Sequence, residues 1–205
     1  MKSETMTDDL AFVRQLAEEG ATTPALSGRF SVWWGVLLAL TLVVHWSAMS
    51  GFGPVSGGDI GFVWLGMAIV GVIGAAILGR NLGEKPGAFG PVNRVAARIW
   101  PVIGCGIFAY VGAIVLAVAV RGQSPVLFDT IMPAAFLLYG TASMAENVLT
   151  RSGSAIVPVL CVAFAAILMA LVVMPVQYLV AALGVVLTQV VPGMLALRDE
   201  PSEIV

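Results

Sequence analysis

The stretch IWPVIGCGIFAYVGAIVLAVAV, residues 99–120, holds no charged residue and is closed at its two ends by Arg98 and Arg121. At ~1.5 Å per helical residue it reaches ~33 Å, enough to cross the ~30 Å hydrocarbon core of a bilayer. Five further apolar stretches of similar length surround it, at residues 30–50, 61–79, 126–145, 154–173 and 176–197. The last two form one apolar region too long for a single crossing. Pro175, with Gln177 and Tyr178 beside it, divides that region at a hairpin. The expected fold is all-α: a polytopic membrane protein, a bundle of six transmembrane helices with a short N-terminal amphipathic helix. Residues 1–28 form an N-terminal segment, 29–198 the transmembrane domain and 199–205 a tail.

The basic residues orient this bundle. Lys2, Arg14 and Arg29 precede the first stretch, and Arg80, Lys85, Arg94 and Arg98 separate the second from the third. Arg151 lies between the fourth and fifth, Arg198 follows the sixth, and Arg121 alone falls on the other set of connections. Lys and Arg collect on the cytoplasmic side, so both termini are expected there. The composition agrees, being 59% hydrophobic and 11% charged. Soluble proteins carry ~25% charged residues, so the bilayer is the natural solvent for this chain. No basic stripe or reader motif points to nucleic acid. The segments outside the stretches are too short for a soluble catalytic domain.

Residues 1–20 carry five acids and no apolar run, unlike a cleavable signal peptide, so the first crossing is expected to serve as the insertion signal. After Thr7, Asp8 and Asp9, the residues Leu10, Val13, Leu16 and Ala17 share one side of a short helix, with Phe12 at its edge and a polar side that includes Glu18 and Glu19. Helices that lie on a membrane are usually rich in Lys and Arg, because the cytoplasmic leaflet is negative. This acidic helix suits a basic protein surface. Either it folds back under its own bundle against the patch of Arg80, Lys85, Arg94 and Arg98, or it docks on a separate cytoplasmic protein. Pro91 suits the first turn of a helical extension that would place Arg94 and Arg98 on one face, near lipid headgroups. Trp33, Trp34 and Trp100 read as interfacial anchors.

Ionisable groups within a bilayer are costly and mark a candidate site. His45 and Asp129 lie at matching depth, ~7–9 Å from the midplane on the side opposite the cations, and Gln177 falls near the same level. Two readings stand. Either these groups satisfy buried polarity and fix helix registry, with Arg121 as an alternative partner for Asp129, or they line an outward-facing cavity that senses or passes a proton or small ligand. Cys105 and Cys161 read as small core residues. The sequence offers no catalytic set, metal-ligand cluster or nucleotide motif, so no enzymatic activity, metal or cofactor is expected. Small residues recur at Gly71, Ala75 and Gly79, and again at Ala109, Ala113 and Ala117. Such stripes permit close helix contact within one bundle or between copies, so a homo-oligomer is among the expected assemblies.

The ends of the chain carry a resemblance. Asp9-Leu10-Ala11-Phe12, Leu16-Ala17-Glu18-Glu19-Gly20, the run Pro24, Gly28, Arg29, and the closing Pro192-Gly193, Glu200-Pro201 and Ile204-Val205 resemble a group of uncharacterised six-span bacterial inner-membrane proteins. That resemblance implies the bacterial inner membrane as location and a small winged-helix regulator as companion, and it supplies no catalytic residue. The expected function is a regulatory, sensory or scaffold protein relaying to a cytoplasmic partner through its N-terminal helix. The alternative is a small transporter or channel with its polar site at His45 and Asp129.

Overall fold

A computed structural model of the chain describes residues 25–85, 87–149 and 154–200. Their regular structure is entirely helical, in six helices. These are α1 (Gly28–Met49), α2 (Ile60–Gly79), α3 (Pro91–Arg121), α4 (Ile131–Leu149), α5 (Ile156–Ala170) and α6 (Val176–Arg198). A 3₁₀ segment, Pro125–Thr130, leads into α4. All but α5 are long and apolar enough to cross a membrane, which marks a multi-pass membrane protein. α5, with 15 residues, is shorter than expected.

The helices start and stop where local chemistry dictates. Pro91 occupies the first turn of α3, where its missing N–H costs nothing, and Gly122 ends the helix in the left-handed conformation at φ 63°. The extension through Arg94 and Arg98 is thus present as expected. Within α6 a π-helical turn, Val186–Val190, precedes Pro192. Proline cannot donate to the carbonyl four residues back and its ring crowds that position, so a wider turn at this point relieves the helix.

Chain order and spatial order differ. α1 lies between α2 and α6; α6 leads on to α5, then α4, with α3 outermost. α2 and α3, consecutive in sequence, are therefore the two wings, and the connection between them passes beneath the bundle. The central crossing of α1 and α6 rests on small residues. A Cβ on Gly28 would stand 3.0 Å from the Gly193 carbonyl, and one on Gly35 would stand 2.9 Å from Val190.

The α1–α2 contact is built differently. The Trp34 ring fills the place of a Gly71 Cβ, at 2.1 Å, and Trp33 does the same at Gly74, at 2.2 Å. The Trp33 indole also donates to the Gly71 carbonyl at 3.0 Å. These two tryptophans are thus wedges between α1 and α2.

The core lies where α1, α4, α5 and α6 meet, around Leu42, Phe136, Cys161, Leu168 and Ala181. The wings leave large apolar side chains outside, among them Phe62 and Val120. Hydrocarbon solvates such faces; water would not. On α3, Ala109, Ala113 and Cys105 belong to this outer surface, so only Cys161 of the two cysteines is a core residue.

Candidate functional site

Each end of the bundle gathers polar side chains. At one end, the last turn of α1 brings His45 beside α2 and α6. The Trp64 indole donates to His45 Nδ1 at 3.1 Å, which requires a lone pair there and leaves the ring proton on Nε2. The other face of the imidazole is covered by Tyr178, stacked with ring centroids 3.7 Å apart and planes 23° from parallel. Trp64 stands four residues after the start of α2 and His45 four before the end of α1, so their depths match.

Gln177, the sequence neighbour of Tyr178, is 1% exposed. Its amide donates to the backbone carbonyl of Asp129 at 2.8 Å and to that of Leu168 at 3.4 Å, tying α6 to the 3₁₀ segment and to α5. The Asp129 side chain sits half-buried in a recess of about 230 Å³ lined also by Val126, Thr130 and residues 168–173. No hydrogen bond or ion pair joins Asp129 to His45, nor to Arg121, which is exposed. The three expected residues therefore share one level, with Gln177 bonded to the Asp129 backbone and its neighbour Tyr178 stacked on His45.

At the opposite end Glu200 forms a clasp. It accepts from Arg29, at the start of α1, and from Lys85 at 2.6 Å, in the α2–α3 connection. Its side chain is only 5% exposed. Arg29 also reaches the Leu78 carbonyl at the end of α2, at 3.5 Å. Beside the clasp, Asn93 of α3 accepts the Leu26 N–H at 2.9 Å and donates to the Gly87 carbonyl at 2.8 Å. The expected basic patch is thus divided. Lys85 is held by Glu200, whereas Arg80, Arg94 and Arg98 are exposed.

Near this end Glu146 of α4 accepts from the Trp100 indole at 2.6 Å and links α3 to α4. The docking residues Leu10, Phe12, Val13, Leu16, Glu18 and Glu19 lie outside the described residues.

Sequence reasoning missed Tyr178 and Trp64 as partners of His45, although equal distance from the helix ends carried a usable signal. It missed Glu200 because an acid just past a terminal arginine reads as an ordinary solvated tail. No family model matches the chain, and no curated protein or solved structure is found similar to it.

Proposed function

We propose that the chain is a six-span bacterial inner-membrane protein of regulatory or scaffold type. It works without catalysis and passes the state of its bundle to a cytoplasmic partner through residues 1–28. The supporting observation is the clasp, in which Arg29, Lys85 and Glu200 fasten the start of α1, the α2–α3 connection and the end of α6 to one another. Any tilt of α1 against α6 is felt there, at the start of α1. The Leu26–Asn93 bond adds the foot of α3 to the same junction.

Gly28 packs on Gly193 and Leu197, placing the start of α1 beside the end of α6. That proximity favours an even number of crossings, with α5 as the sixth. A helix of ~22 Å spans by thinning the bilayer locally, aided by apolar flanks such as Leu171 and Val173. Arg29, Arg80, Lys85, Arg94, Arg98 and Arg198 gather at the clasp end, against Arg121 at the other, which supports a cytoplasmic clasp. The resemblance to six-span inner-membrane proteins accompanied by winged-helix regulators points the same way.

A photo-crosslinking amino acid at Leu16 in cells should trap one cytoplasmic protein, and deleting residues 1–20 should abolish its co-purification without impairing insertion. Unchanged recovery of that protein, or a periplasmic signal from a reporter fused after Val205, overturns the reading. The transporter alternative has weaker support. The Gln177 amide nitrogen is taken by two backbone carbonyls and His45 Nδ1 by the Trp64 indole, so these groups are engaged within the bundle.

A further inference from the structure

The recess at Asp129 lies at the end of the bundle opposite the clasp, between the 3₁₀ segment and the C-terminal end of α5. Its polar groups divide into those already satisfied and those left open. The Thr130 hydroxyl is satisfied, bonding the Leu127 carbonyl at 2.6 Å and Tyr110 at 2.8 Å. At the end of α5 the Ile167 carbonyl takes the Leu171 N–H, and the Leu168 carbonyl takes the Gln177 amide. The carbonyls of Met169 and Ala170 have no such partner. The last carbonyls of a helix point out of its end and together carry roughly half a negative charge.

The Asp129 carboxylate is open as well. Gln177 bonds the Asp129 backbone, not its side chain, and Arg121, the one Lys or Arg among the described residues at this end, forms no ion pair with it. The Asp129 carboxylate, with the open carbonyls of Met169 and Ala170, outweighs the backbone N–H groups of Val172 and Val173 beside them, and the net field is negative. A donor of positive charge completes it.

The walls choose among cations. One carboxylate is too few for a hard divalent ion, which demands six or more oxygen ligands. Val126, Leu168, Leu171 and Val172 instead offer a surface for methylene groups. About 230 Å³ is below the ~300–1,000 Å³ of drug-sized sites, so the ligand is small. We infer that this recess binds a small primary ammonium ion with a short apolar body, its three N–H donors shared between the Asp129 carboxylate and the carbonyls ending α5. This site stands apart from the cytoplasmic relay and survives the failure of that reading.

The test uses the full-length protein in phosphatidylcholine nanodiscs, titrated with n-butylammonium chloride and, separately, with n-butanol, at constant ionic strength. Butylammonium should bind saturably by calorimetry and raise the melting temperature; butanol should do neither. Asp129→Asn should weaken butylammonium at least about tenfold, the loss expected for a charge-assisted contact. Leu171→Trp keeps the carboxylate but fills the recess, and should abolish binding even where Asp129→Asn does not fold. Saturable binding that both variants retain, equal response to butanol, or no saturable binding in the wild type would each overturn the inference.

Discussion

Glu200 and Asp129 are carboxylates at opposite ends of one bundle, and their surroundings differ. Glu200 is almost wholly withdrawn from solvent and lies between Arg29 and Lys85. Asp129 is only partly buried and has no cation beside it. Burying a charge costs several kcal/mol unless partners compensate, so the first site is tolerable only because two cations converge on it. The second is tolerable because water or a headgroup still reaches it. Paired charge here is architecture; unpaired charge is left free to answer a ligand.

Four measurements can break or sharpen this contrast, all by reversible unfolding in mild detergent. The largest effect belongs to Glu200→Ala, which strands two cations at the clasp. A cost of about 2 kcal/mol is expected, below the range for fully buried pairs because both cations are partly exposed. Trp64→Phe asks whether the other end is ordered by aromatic contacts instead of charge. Losing the hydrogen bond to His45 should cost about 1 kcal/mol. Raising salt from low to molar concentration should lower wild-type stability by about 0.5 kcal/mol, and that sensitivity should vanish in Glu200→Ala. Smallest of all, Asp129→Asn without ligand should lie within about 0.5 kcal/mol of wild type, since its side chain holds nothing together. A cost for Asp129→Asn matching that of Glu200→Ala would erase the distinction.

The helices were legible in the sequence because each is a local object: an apolar run of bilayer length with charges, Pro or Gly at its ends. Pro91 marked the start of α3, and Arg121 marked its end. What the runs do not encode is adjacency. Nothing in α2 or α3 announces that these consecutive helices become opposite wings, since the apolar stretch within each is apolar on all sides and periodicity gives no inward face.

Trp33 and Trp34 show the same limit. Their position suggested the interface, but Gly71 and Gly74, some forty residues away, provide the hollows that accept them. For the polar groups, shared depth was readable from residue counts alone, which is why His45, Asp129 and Gln177 do occur at one level. Their bonding was not, because it depends on which way α6 turns. Gln177 and Tyr178 are adjacent in sequence yet serve different neighbours.

The central crossing joins Gly28 and Gly35, near the beginning of the chain, to Val190 and Gly193, near its end. During synthesis the first helix must therefore wait in the membrane until the last has left the ribosome. A nascent polypeptide halted before residue 176 would display that glycine face bare to lipid. Such an orphan is the kind of half-assembled species that membrane quality-control proteases remove, so truncation near the C-terminus should deplete the whole protein and not merely shorten it.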